Sequence, residues 1–472
     1  MQARPVTRLE RDSLGTVEVP AGAYWGAHTA RALANFPISG TPVSQHRELV
    51  RALAAVKQAA ARANRDLGVL DAERADLLDR ACDAVAAGRY DDQLVVDVVQ
   101  GGAGTSTHMN LNEVVTNVAL ELAGRPRGDY GYLSPLDHTN RSQSTNDVYP
   151  TAVRIALVLA SRALLSELEQ LADAFAAKSR ELADVVKIGR TQLQDAVPMT
   201  LGQELGAYAT TLREDHERLR EAADLLREVN LGGTAIGTGI AAPPGFASTV
   251  LAHLRVTSGV EVVGAPDLVE STSDAGAFLT FSGALKRSAV KLSKICNDLR
   301  LLSSGPQAGL GEITLPPRQA GSSIMPGKVN PVIPEVVNQI AFVVVGADTT
   351  VTMAVEAGQL QLNAFGPVIA HSLLQAVAWL TRGMATLREA CVVGIGADAE
   401  RLARLVARSV GVVTALAPDI GHAAAATIAR TALTSGRDVV SLVAEAGLLE
   451  PEQLAQRLSP QALTSAAGPN HL

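Results

Sequence analysis

The stretch GSSIMPGKVNP, Gly321 to Pro331, decides how this chain is read. Its glycines, paired serines, prolines and single lysine interrupt long apolar-periodic segments that read as helices. Gly321 and Gly327 admit backbone conformations closed to other residues, and Pro326 and Pro331 limit helix formation at their flanks. Lys328 supplies a fixed cation. A serine in such a loop serves as a turn residue, as a nucleophile, or as a base once nearby donors and cations make its hydroxyl acidic.

On both sides of the loop the helical pattern is strong. From Ser144 the helices become long: Leu164, Leu165, Leu168, Leu171 and Phe175 mark a stripe of helical period, and residues 155–160 are apolar on every side. The same patterning covers about 199–229, 271–303, 335–362 and 367–394. Helices of roughly 25 to 40 residues, about 40 to 60 Å each, suit a long bundle. Their apolar flanks call for burial against other copies of the chain.

Outside that region the elements are shorter. The first forty residues suggest irregular structure with a hairpin. Ser44 is read as the N-cap of a helix ending at Leu67 and Gly68, and a second helix is expected over 71–87, closed by Gly88. Beyond residue 400 short helices form a small C-terminal domain, and SAAGPNHL at 465–472 reads as a frayed tail.

Composition narrows the function. At 472 residues the chain exceeds one compact core, and its 47% hydrophobic content with 3% aromatics implies an interior of Ala, Leu, Val and Ile. The net charge of -7 argues against a nucleic-acid or anionic-membrane partner. Cys82, Cys296 and Cys391 are too scattered for a disulfide framework or a zinc site, and the nine histidines show no metal-ligand spacing. The N-terminal MQARPVTRLERDSLG lacks the apolar core of a signal peptide, so a soluble, cytoplasmic protein is expected. GGTAIGTG at 232–239 follows a helix instead of a strand, which disfavours a dinucleotide site.

Four polar, glycine-flanked stretches punctuate the helices: GGAGTSTHMNLNE, RSQSTND, GRTQLQD and the 321–331 loop. They carry Thr105, Ser106, Ser144, Thr145, Asn146, Thr191, Gln192, Ser322, Ser323, Lys328 and Asn330. Each alone reads as helix capping. Together, such donors outnumber the carboxylates beside them, and helix N-termini attract anions. The combination fits a small dicarboxylate ligand.

In order along the chain, GTSTHMNLNEV, SQSTNDVYPT, GRTQLQDAVPMTLGQE, NDLRLLSSGP, GSSIMPGKVNP and NPVIPEVVNQ resemble the aspartase/fumarase superfamily, over nearly the whole length. The resemblance implies a mainly α, three-domain fold: an N-terminal domain (1–143), a central long-helix domain (144–399) and a small helical C-terminal domain (400–472). It implies that five central helices join those of three other copies in a twenty-helix core. The result would be a homotetramer whose active sites are each shared by three subunits.

It also implies the chemistry. Ser322 would take a proton from the carbon beside one carboxylate of the substrate, and Lys328 and Asn330 would hold the α-carboxylate. Thr105, Ser106, Ser144, Thr145, Asn146 and Thr191 would surround the other carboxylate as it becomes a dianionic aci-acid. Gln192 stands where fumarases typically carry histidine, which turns the expectation from water to ammonia as leaving group; Glu335 would orient its amide. The implied activity is that of aspartate ammonia-lyases, reversible conversion of L-aspartate to fumarate, with no organic cofactor and no metal. The alternatives are fumarate hydratase, a lyase of another substituted succinate, or a non-catalytic protein on the same scaffold. Relatives often read Asn-Met-Asn where this chain has His108-Met109-Asn110, and residues 134–138, 240–246 and 270–278 also depart from the usual pattern.

Overall fold

A computed structural model describes residues 6–464. The expected frayed tail, 465–472, lies outside the described residues. Two strands, β1 (Thr7–Asp12) and β2 (Gly15–Pro20), form the N-terminal hairpin. Then come helices α1 (Ala27–Asn35), α2 (Arg47–Asp66), α3 (Ala72–Ala86) and α4 (Thr105–Leu122). Asp71 caps α3 by accepting from Arg74 N, as Ser, Asp and Asn do at helix starts. Ser44 does not cap α2. It lies in a 3₁₀ turn, Val43–Gln45, and α2 opens after His46 with no side-chain cap.

The long helices are α5 (Thr145–Glu181), α6 (Leu201–Asp224), α9 (Gly276–Leu302), α10 (Val332–Glu356) and α11 (Gly366–Ala390), with α7 (Phe246–Ser258) and α8 (Leu268–Ser273) between α6 and α9. One helix was expected over 271–303, but Asp274 splits it by accepting from Gly276 N and starting α9 afresh. Pro150 lies inside α5, where it leaves the Asn146 carbonyl without its helical donor; Asn230 Nδ2 takes that place at 3.0 Å.

Between α5 and α6 a hairpin, β3 (Val186–Thr191) and β4 (Gln194–Thr200), appears where the sequence showed only a polar break. Its two-residue loop, Gln192-Leu193, has φ of 54° and 63°, a geometry that normally selects Asn and Gly. The loop lacks that signal.

The chain divides into two compact units, each drawn from three segments. The first comprises 1–165, 217–287 and 342–380. In it α2, buried almost all round, packs against α3 and α7. The second comprises 166–216, 288–341 and 381–472. There the long helices meet side by side: Phe175 of α5 lies edge-on to Tyr208 of α6, and Tyr208 Oη donates to Asp298 of α9 at 2.8 Å. Asn338 of α10 donates to Ser293 Oγ of α9 at 2.8 Å, and Arg388 of α11 reaches Glu167 of α5.

The second unit ends in short helices, α12 (Ala399–Arg408), α13 (Gly411–Ile420), α14 (His422–Ser435), α15 (Val439–Glu445), α16 (Pro451–Arg457) and α17 (Pro460–Thr464). Their apolar faces, Val412, Leu416, Val439 and Val443 among them, close over Ile188 of β3. By length and composition α5 and α10 each suffice to cross a membrane; 67% of the apolar window of α5 is buried, against 33% for α10.

Candidate active site

In the first unit the N-termini of α4 and α5 come together. Gly104, with φ of 93°, precedes α4, and a Cβ there would meet the Tyr149 ring of α5 at 2.5 Å, so only glycine permits the approach. Thr105 is exposed and Ser106 half-buried at the head of α4. One turn on, His108 Nδ1 and Thr145 Oγ1 are 2.8 Å apart. Ser144 Oγ accepts from Asn146 N at 3.2 Å while Ser144 N donates to Asp147 at 2.9 Å, a reciprocal cap. Asn146 Nδ2 donates to Ala235 O.

These capping contacts leave the side chains partly accessible. Ser144, Thr145 and Asn146 keep partial exposure at the start of a 37-residue helix. Helix dipole and free N–H groups favour a negative ligand there.

Beneath this surface lies a polar layer that sequence reasoning missed. Lys57 of α2 is 2% exposed and donates to Asn140 Oδ1 at 3.0 Å and Gln143 Oε1 at 2.8 Å. Burial pulls its ammonium down to about 7, with the Asp147 carboxylate working in the opposite direction. Asp147 is fully buried and accepts from the N–H groups of Ser144, Gly232 and Thr234, yet burial still pushes it up to about 6. His108 is 1% exposed, and burial and then Lys57 hold it well below the usual imidazole range, so it is neutral. Among the described residues its Nε2 has no hydrogen-bond partner. A lone lysine in the apolar run LAAVKQAAARA was the available signal for this layer. The residues at 134–138, another departure from the usual pattern, form a self-capped turn in which Ser134 N donates to His138 Nδ1.

The second unit holds the remaining candidates. Ser322 Oγ accepts from the N–H groups of Ile324 at 3.1 Å and Met325 at 2.9 Å, donors that favour a developing alkoxide. Gly321 N donates to Lys328 O, and Asn330 Nδ2 donates to Gly321 O at 2.9 Å, so the two ends of the loop are pinned together. Gly327, at φ of 78°, makes the return turn. The loop opens onto a concavity of about 520 Å³ lined by Arg318, Ser322, Met325 and Lys328. Ser323 and Lys328 are exposed, and among the described residues the Lys328 ammonium has no acidic partner.

Thr191 and Gln192 occupy the exposed tip of the β3–β4 hairpin. Its base is fixed by the buried Glu312, which lies 2.8 Å from Lys187 and 2.5 Å from Arg190, both on β3. Glu335 is half-buried in the first turn of α10. Among the described residues no hydrogen bond joins the Glu335 and Gln192 side chains, so the expected orienting contact is not made within this chain. No cluster of three or more His, Cys, Asp or Glu that could hold a metal ion occurs among the described residues.

A family model described as Lyase matches residues 15–346, and one described as Fumarase C C-terminus matches residues 412–465. The chain is 57% identical over 456 residues to the aspartate ammonia-lyase of Pseudomonas aeruginosa, with 96% of each covered. The solved fumarate lyase:delta crystallin of Brucella melitensis bound to cobalt is 54% identical, with a TM-score of 0.95 over 98% of this chain and 100% of that one. The recombinant class II fumarase of Schistosoma mansoni is 33% identical, with a TM-score of 0.90 over 96% of this chain and 98% of that one.

Proposed function

The chain belongs to the aspartase/fumarase superfamily of lyases, and from that premise we propose that it is an aspartate ammonia-lyase, converting L-aspartate reversibly to fumarate and ammonia. The observation that carries the choice of leaving group is the contrast in identity, 57% to an aspartate ammonia-lyase against 33% to a fumarase. Gln192 agrees with it, because an amide neither takes up nor releases a proton near neutral pH as an imidazole does.

Ser322 is the base for the Cβ proton. Two backbone N–H groups already point at its oxygen, and Lys328 lies in the same loop concavity. The proton is weakly acidic, so the site must stabilise charge that appears only after abstraction. Each preplaced donor at such an oxyanion is worth roughly 3 to 4 kcal/mol. Thr105, Ser106, Ser144, Thr145, Asn146 and Thr191 supply them, while Lys328 and Asn330 hold the α-carboxylate and Ser323 flanks the base.

The active unit is a cytoplasmic homotetramer with each site shared by three subunits. Its support is the face of α10 on which Val336, Phe342, Val343 and Met353 are 39–66% exposed. An apolar row on so long a helix calls for neighbouring helices from other copies. The test is a panel of L-aspartate, L-malate and N-substituted aspartates on the purified protein, followed by fumarate absorbance. Turnover of aspartate far above the others is expected, and malate turnover exceeding aspartate would overturn the reading.

A further inference from the structure

Thr145 is placed to stabilise a carboxylate, and its hydroxyl has one proton to give. Which way that proton points depends on His108. If His108 carries its proton on Nε2, then Nδ1 must accept from Thr145, and the hydroxyl hydrogen is used up inside the protein. If the proton is on Nδ1, His108 donates to Thr145 Oγ1 and the hydroxyl hydrogen is free for a ligand.

The surroundings choose between these forms. An N–H at Nε2 would be a buried donor with no acceptor, because among the described residues that atom has no hydrogen-bond partner. The Lys57 ammonium acts on the ring as a like-signed charge and disfavours a second proton, so the imidazole carries a single N–H. Lys57 is held in position by Asn140 Oδ1 and Gln143 Oε1.

We propose that the enclosure of His108 keeps its proton on Nδ1 and so commits the Thr145 hydroxyl to donating to the substrate carboxylate. His108 is a positioning residue. The inference rests on Thr145 being a carboxylate donor and adds how that donor is oriented.

The assignment is tested with His108→Leu and His108→Asn, on L-aspartate or whichever substituted succinate the wild type turns over best. His108→Leu removes the donor to Thr145 and should lower kcat/KM about ten- to a hundredfold. His108→Asn restores an N–H donor and should stay within about threefold of wild type.

Wild-type kcat/KM in His108→Leu, or equal losses in the Leu and Asn variants, would each overturn the assignment. Should His108→Leu fail to fold, His108→Ala takes its place in the comparison with His108→Asn. Failure of the wild type to turn over L-aspartate would sink the substrate reading alone, since the variants are compared on the substrate the wild type prefers.

Discussion

Lys187 Nζ lies 2.8 Å from Glu312 Oε2, with both side chains no more than 2% exposed. Glu312 also holds Arg190, so one buried carboxylate fixes the strand that ends in Thr191. Removing that carboxylate takes the partner from Arg190 and leaves the buried Lys187 with Glu204 alone, 2.6 Å away. Glu312→Gln should cost about 3 to 5 kcal/mol in urea denaturation, and adding Lys187→Met to Glu312→Leu should recover a large part of the loss. A Glu312→Gln protein as stable as wild type would show that the pair does not hold the hairpin.

The tip of that hairpin is strained. Gln192 and Leu193 are both left-handed without being glycine, and Leu193 is 69% exposed, so its side chain contributes little packing. Leu193→Gly should raise stability by about 0.5 to 1 kcal/mol, read from the urea midpoint. A drop would mean that Leu193 makes contacts absent from the single chain.

Ser322→Ala should reduce fumarate release from L-aspartate by about a thousandfold or more while leaving the melting temperature unchanged, because the Ser322 hydroxyl is half-exposed and accepts only two loop N–H groups. Activity near wild type would exclude Ser322 as the base.

Lys57 gives stability a pH dependence. Its folded value of about 7 lies below its ordinary value of 10.5, so between those values the unfolded chain binds a proton that the folded chain does not. Its burial penalty is therefore fully present below about 7 and fades as the pH rises toward 10.5. Relative to wild type, Lys57→Met should be more stable at neutral pH, with the advantage shrinking at alkaline pH. Denaturation at several pH values checks this, and a constant difference would refute it.

Phe342 is 66% exposed on α10. Phe342→Asp should convert the proposed tetramer to smaller species in light scattering and lower activity in parallel. An intact tetramer would move the proposed interface elsewhere.

Much of the molecule was legible in the residues alone. Leu164, Leu168, Leu171 and Phe175 announced the buried face of α5 through their spacing, and Asp71 and Gly88 bracketed α3 as helix-end chemistry requires. These are local effects, set by 3.6-residue periodicity and by backbone groups that need partners. The 321–331 loop was legible for the same reason, since glycine and proline act on their own backbone.

What the tertiary structure alone decided is long-range and polar. No periodicity connects Lys57 with Asn140, Gln143 and Asp147, and none places Glu312 against Lys187 and Arg190. A charge in water costs nothing and looks ordinary in a sequence. Only burial gives it a large energy, and burial depends on which helices the whole chain brings together. His108 shows the difference most clearly: its substitution was visible in the sequence, but its neutrality and its hold on Thr145 come from its enclosure.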